Sequence, residues 1–497
     1  MTTANSSAVD AVLERVKTGI AAFDDLMMGG LPRRRTTIVA GTPGSGKTVF
    51  ATQFLSQGIM ELDESGVFVT FEESPSEIEA NMSTFGWEIG RWLLEKRFAF
   101  VDASPRHHDD AIIGHFDLSG LLARILHAVD DVGARRVVLD SLTQLFDHFI
   151  ANQALVRREL VRIASALKSK GLTVLMTAER DNEYGDISRH RIEEFVADNV
   201  VILRNALDRE RRRRTIEVLK MRGSRHVEGE VPFTLFEKKG IVAVPLSSLR
   251  LEQQSSTVRV TSGNSELDEM CGGGFFRDSV TLVSGATGTG KTLLVTHFLG
   301  GGVASGERAL LLAYEESRGQ LFRNARGWGV DFEAMEADGK LKIVCLYPEA
   351  QGLPDHLLTI RELVETFNPD RIAIDSLSAL ERIAPETGFR EFLISLTSFI
   401  KKREIAGLCT ATDKSLVGGQ SASEQHISTL TDSIILLRYI QQRKAMDRGL
   451  MVLKMRGSEH DKRILRLTID GSGMHVGGPF EDVPDVFGEA AMAGPSP

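Results

Sequence analysis

The chain has 497 residues and a formal net charge of −9, a balance that argues against nucleic acid or anionic membrane as its main partner. Hydrophobic residues make up 42% and charged residues 26%, the mixture of a globular protein with chain enough for two full cores. Cys271, Cys345 and Cys409 lie far apart, form no metal-ligand spacing and point to a reducing, cytoplasmic location. The opening MTTANSSAVDAVLERV reads as no signal peptide, and no run approaches the roughly 20 apolar residues that span a bilayer.

In chain order, apolar runs of strand length alternate with helix-length segments. The first half shows TTIVAG, GVFVTF, RRVVLD, LTVLMT and VVILR. Continuous rather than alternating apolar runs predict strands buried on both faces, hence an α/β fold with a parallel sheet between helices. The second half repeats the first. Lys47 maps to Lys291, Glu72 to Glu315, Asp140 to Asp375 and Lys220 to Lys454, in unbroken order. The chain is therefore read as two copies of one domain: residues 1–245, a polar linker over 246–258, residues 259–475, and a flexible tail over 476–497 rich in Gly and Pro.

GTPGSGKT from Gly41 and GATGTGKT from Gly285 both fit G-x-x-x-x-G-K-[ST] between a strand and a helix. Gly44, Ser45, Gly46, Lys47, Thr48 and Val49, with Thr287, Gly288, Thr289, Gly290, Lys291, Thr292 and Leu293, form the expected triphosphate cradle. Backbone amides close around phosphate oxygens, the Lys neutralises terminal charge, and the Thr hydroxyl ligates Mg²⁺. VVLDS and IAIDS end strands in Asp140 and Asp375, placed to hold Mg²⁺ through water; a strand-ending Asp can also cap the next helix. FEES and YEES offer Glu72 and Glu315 to polarise an attacking oxygen, with Glu73 and Glu316 supporting them or contacting Mg²⁺; surface acids are the alternative. KMRGS ends a strand in each copy, and its Lys and Arg share a face, as a charge pair aimed at a neighbour's γ-phosphate would; a solvated strand end is the alternative. RERRRR from Arg209 reads as a solvated hairpin tip or subunit contact, with nucleic acid as the alternative.

The paired phosphate loops, the Glu-Glu pairs, the two KMRG segments and HISTLTD from His426 together resemble the KaiC family of clock-type bacterial ATPases, which carry two RecA-like P-loop domains in one chain. The resemblance covers about residues 10–475. It implies a homohexameric double ring that binds ATP and Mg²⁺ at subunit interfaces. The first domain would be an ATPase able to dock a KaiB-like protein, and the second a serine/threonine autokinase and autophosphatase. It places the phosphoacceptors on Ser428 and Thr429 and the phosphorylation base, also counted with the metal site, on Glu315. Nucleotide contacts fall on Lys220, Met221, Arg222, Ser224 and His226 in the first copy, and on Trp328, Arg448, Lys454, Met455, Arg456, His460 and Lys462 in the second. Glu459 stands where cyanobacterial members have Trp, and the tail does not resemble the segment that recruits KaiA, so regulation by KaiA is not implied.

With the +234 register, Ser428 and Thr429 replace Glu194 and Phe195 of the first copy. One copy carries a fixed negative charge where the other carries two hydroxyls that phosphate could charge by about −1.5 to −2 each, although Ser and Thr are also common caps. The alternative function is a RecA-like nucleic-acid-dependent ATPase, which would need a basic pore and salt-dependent stimulation.

Overall fold

The computed structural model describes residues 13–104, 118–148, 153–191, 196–208, 211–243, 255–384, 386–412, 427, 429–442 and 445–480. The chain divides into two compact units, Met1–Ser248 and Leu249–Pro497. Residues 246–254 of the expected linker lie outside the described residues.

Each unit is built on one nine-stranded sheet with the same strand order. In the first, the strands run across the sheet as Phe98–Asp102, Gly66–Thr70, Arg136–Asp140, Thr173–Glu179, Thr36–Gly41, Asn199–Asp208, Arg211–Met221, Glu230–Phe236 and Gly240–Ala243. The first six are parallel, and the last three extend the sheet antiparallel. The second repeats this with Leu341–Cys345, Ala309–Ala313, Arg371–Asp375, Ala406–Thr412, Val280–Gly285, Ser433–Gln442, Ala445–Met455, Leu465–Asp470 and Gly473–Pro479. The strand Gly473–Pro479 corrects the expected tail: residues 476–479 pair with the sheet. Glycine-rich edge strands carry little side-chain periodicity, which hid this one.

The apolar runs are strands because both of their faces are covered. Val39, Phe68, Val138, Leu175 and Val201 face the phosphate-loop helix Lys47–Glu61. Their neighbours Ile38, Val67, Val137, Val174 and Val200 face the opposite core, with Ile125, Phe146, Leu160 and Ile163 from helices Leu118–Val132, Leu142–His148 and Gln153–Ser169. Successive strand side chains alternate faces, so the run must be apolar throughout.

One fully buried arginine ties this sheet to its helix in each unit. Arg136 opens the strand Arg136–Asp140 and is 0% exposed. Its Nε bonds Glu64 at 2.7 Å, and its Nη1 donates to the carbonyls of Phe54 (2.6 Å) and Lys17 (2.9 Å). Arg371 repeats the pattern with Glu307 and the carbonyls of Phe298 (2.9 Å) and Thr261 (2.6 Å). A Cβ on Gly58, inside the helix, would meet the Arg136 Nε at 2.6 Å, and one on Gly302 would collide with Arg371. Glycine costs a helix roughly 1 kcal/mol relative to alanine, and here it makes room for the guanidinium.

Breaking a buried pair on one side leaves an uncompensated charge and costs about 3–5 kcal/mol. Glu64→Gln is therefore expected to destabilise the first unit by about 3 kcal/mol, read by chemical denaturation. Burial pushes the Glu64 carboxyl up, but Arg136 and Arg33 outweigh it and hold the folded value below the ordinary one. The wild-type contribution is thus complete well above about pH 4.3 and is lost as pH falls below it, so the gap between wild type and variant should narrow in acid.

Candidate functional site

Each phosphate loop leaves the end of a central parallel strand and enters its helix at Lys47 or Lys291. Gly46 and Gly290 turn the chain into the helix at φ +95° and +111°, a region that glycine enters freely. The lysines are 9% exposed. Lys47 Nζ donates to the carbonyls of Gly41 (3.0 Å) and Thr42 (3.1 Å), and Lys291 Nζ to those of Gly285 (2.7 Å) and Ala286 (3.0 Å). Burial pulls the Lys47 ammonium below its ordinary pKa, while Glu179, Asp140, Glu72 and Glu183 oppose that pull. Ser45 is buried, Thr289 donates to the Ala286 carbonyl at 2.8 Å, and Val49 and Leu293 face the cores.

The strand-end aspartates come to the start of the same helices. Thr292 Oγ1 donates to Asp375 Oδ2 at 2.8 Å and lies 3.5 Å from Glu316 Oε1. Asp140 likewise accepts from Thr48, and Asp140 and Asp375 also accept from Thr177 and Thr410. Burial raises both carboxyls. These are hard oxygen donors of the kind that suits Mg²⁺. Among the described residues no three His, Cys, Asp or Glu side chains cluster as a metal site of their own.

The Glu-Glu pairs sit between a strand end and a helix cap, where backbone direction changes and strand alternation no longer applies. The strand Gly66–Thr70 ends just before them, and Ser74 caps the helix Pro75–Met82 just after. Glu72 is raised by burial first, then by Glu179, Asp140 and Glu73. Glu73 accepts from Asn81 at 3.2 Å. In the second unit Glu315 accepts from Ser376 (3.0 Å) and pairs with Arg382 (3.0 Å), while Glu316 accepts from Asn324 (3.1 Å). The carboxylate that reaches Thr292 is thus Glu316, which the sequence reading offered as a Mg²⁺ contact beside Glu315.

KMRG lies elsewhere. Met221 pairs with Asn199, which is level with Thr37, whereas the phosphate loop follows Gly41, level with Leu203. Four strand residues, roughly 13 Å, separate the two ends. KMRG therefore occupies the sheet edge opposite its own loop. There Lys220 Nζ donates to the Ala197 carbonyl (3.2 Å) and Arg222 faces Asp198 (3.6 Å). In the second unit Lys454 Nζ donates to the Thr431 carbonyl (2.8 Å), and Arg456 donates to the Thr429 carbonyl (2.9 Å) and faces Asp432 (3.8 Å). Met221 and Met455 pack in the cores, Ser224 accepts from Arg15, His226 and His460 are half-buried, and Lys462 is exposed. Trp328 follows the helix Arg318–Gly327 and packs against the second core. Thr429 is exposed; Ser428, Glu194 and Phe195 lie outside the described residues.

A family model described as ATPase: KaiC matches residues 16–248 and 260–480. The chain belongs to the KaiC family. It is 57% identical over 481 residues to the circadian clock protein KaiC3 of Synechocystis sp., covering 97% of this chain and 95% of that one. It is 51% identical over 482 residues to the circadian clock oscillator protein KaiC of Synechococcus elongatus, covering 97% and 92%. The two sheets are tandem RecA-like ATPase domains, and the family's chemistry is that of a nucleotide-binding ATPase. No helix among the described residues is long and apolar enough to cross a membrane.

Against the KaiC frame, one loop contact was missed in the sequence. Arg214 Nε donates to the Gly44 carbonyl at 3.3 Å, as Arg448 Nε does to that of Gly288 at 3.2 Å. The +234 register carries Arg448 onto Arg214 and would have found it. RERRRR falls at a hairpin as read, with Asp208 paired to Arg211; Arg211–Arg214 open a long strand, and Arg212 donates to the Asn205 carbonyl at 2.8 Å.

Removing one loop ammonium deletes a charge-assisted contact to phosphate. Lys47→Ala and Lys291→Ala should each weaken ATP at their own unit by about tenfold or more, measured by calorimetry on the full chain.

Proposed function

We propose that the chain is an ATP-hydrolysing cytoplasmic protein that assembles head-to-tail into a ring, six subunits by likeness to its family, and that its second domain phosphorylates Ser428 and Thr429 of the adjoining chain and can reverse that transfer. The observation that supports this is the placement of KMRG and the acceptor segment together, on the edge opposite the phosphate loop. A cation pair so far from its own loop can serve a triphosphate only in a neighbour. A heterologous contact of that kind propagates and, when it closes, makes a ring.

Within each site the chain's own residues divide the work. Lys47 and Lys291 neutralise terminal phosphate charge, and the partner's KMRG completes the shell around it. Thr48 with Asp140, and Thr292 with Asp375, would hold Mg²⁺, which would supply positive charge against that developing on the phosphates. Glu72 accepts the proton of the attacking water. Its burial and the nearby Glu179 and Asp140 raise its proton affinity, as a base requires. Glu315 takes the same part toward an acceptor hydroxyl, with Ser376 and Arg382 holding its carboxylate in place. The family pattern also supports a KaiB-like partner on the first ring, and three free cysteines fit a reducing compartment.

Glu72→Gln should retain nucleotide but lower hydrolysis by the first domain by about 100-fold or more. Because Glu72 sits above its ordinary pKa, wild-type hydrolysis should begin to fall at a pH above about 4.3 on acidification. Mixing inactive Lys47→Ala and Lys220→Ala chains should restore about a quarter of first-domain turnover, because random neighbours rebuild intact sites. No recovery would reject completion in trans. Phosphosite mapping after incubation with ATP and Mg²⁺ should find phosphate on Ser428 and Thr429; phosphate elsewhere, or none, removes the autokinase and leaves the ATPase.

A further inference from the structure

Residues 180–186 form a strap across the mouth of the first phosphate loop. Arg180, 3% exposed, donates its backbone N–H to the Gly41 carbonyl at 3.1 Å. Its guanidinium closes the turn on the carbonyls of Asp186 (3.0 Å) and Gly185 (3.1 Å). From the other side, Arg204 donates to the Glu183 carbonyl at 3.1 Å and lies 5.0 Å from the centre of the Tyr184 ring. With the backbone held there, the half-buried Glu183 side chain meets the loop. Thr42 Oγ1 donates to its Oε1 at 2.6 Å, and the Asn205 backbone N–H donates to its Oε2 at 2.8 Å.

The loop is built to select an anion, and Glu183 is an anion already bonded to it. Its charge also acts on the Lys47 ammonium. We propose that Glu183 is an internal competitor at the first site: its carboxylate opposes the terminal phosphates at Thr42 and Lys47, so that nucleotide entry lifts the strap. The strap thereby reports occupancy of the first domain to whatever reads its surface. This rests on the nucleotide reading of the loop given above.

Among the described residues the latch is seen in the first copy. In the second loop Thr42 is replaced by Ala286, which has no hydroxyl to donate, whereas the backbone N–H that Asn205 supplies is retained by Tyr439. The corresponding sequence, DKSLVGGQ from Asp413, contains no Glu and lies outside the described residues. Nucleotide entry should therefore meet this opposition in the first domain alone.

The test uses the full chain carrying Lys291→Ala, so that binding reports the first site. Glu183→Gln removes the charge at constant shape. It should tighten a non-hydrolysable ATP analogue by about tenfold, the effect of one charge pair at several ångströms in a partly buried setting, and leave adenosine within about twofold. Thr42→Ala, which copies Ala286, loosens the latch and should tighten the analogue by about threefold, which keeps the test open if Glu183→Gln does not fold. Hydrogen exchange at 180–186 should quicken when the analogue binds the Lys291→Ala parent. A role for Glu183 as simple support of the loop predicts the opposite sign, weaker analogue binding in Glu183→Gln. Unchanged or weaker affinity in both variants, or exchange unaffected by the analogue, overturns the proposal while nucleotide binding by the parent stands. If the parent binds no analogue at all, the nucleotide reading fails and the latch falls with it.

Discussion

A strand and a helix of matched reach, tied at both ends, set the geometry on which each site depends. At one end Arg136 grips the Phe54 carbonyl and lies against Gly58; at the other, Asp140 accepts from Thr48. Ten helical residues from Thr48 to Gly58 rise about 15 Å, and four strand residues from Arg136 to Asp140 about 13 Å. Both ties can therefore close at once only in one register. Arg371, Gly302, Thr292 and Asp375 repeat the arrangement. A slip of one strand residue would turn the aspartate to the opposite face of the sheet and away from the hydroxyl. The buried ion pair is costly to desolvate, and its contribution lies in fixing where the carboxylate stands.

Much of this was written in the sequence. The apolar runs TTIVAG, GVFVTF, RRVVLD, LTVLMT and VVILR are all strands of the parallel part, because burial on both faces leaves a continuous apolar signature. The antiparallel extension was harder to read. Arg211–Met221 begins with four arginines and alternates only over its second half. Its arginines are strand residues because Arg212 and Arg214 find carbonyls on the neighbouring strand and the phosphate loop, a long-range pairing no local pattern announces. Gly473–Pro479 was hidden for the opposite reason, having few side chains to show a period. Glu183 was invisible as a loop contact: only the fold carries it back to Thr42.

The two copies keep one scaffold and differ in charge around it. Glu179, at the end of its strand, adds a carboxylate near Glu72, where the second copy has Thr412. More negative charge favours the protonated form and so makes a stronger base. In the second unit Glu315 instead faces Arg382, whose counterpart in the first unit is Asp147. The Arg382 guanidinium and the Ser376 hydroxyl hold that carboxylate in place. That difference matches the division of labour proposed here. Water needs a strong base to become a nucleophile, while a hydroxyl fixed on a neighbouring chain gains more from being held in place.

The same logic bears on why the acceptor segment sits where it does. Lys454 and Arg456 hold the carbonyls of Thr431 and Thr429, so the cation pair proposed to complete a neighbour's site also positions the hydroxyl proposed to react there. A phosphate arriving on Thr429 would bring new negative charge beside Arg456, which already faces Asp432. It would draw that guanidinium from the proposed interface toward its own chain. Charge on the acceptor and strength of the subunit contact are then coupled through one side chain, and reciprocity requires that tightening the contact in turn shifts the stability of the phosphorylated form.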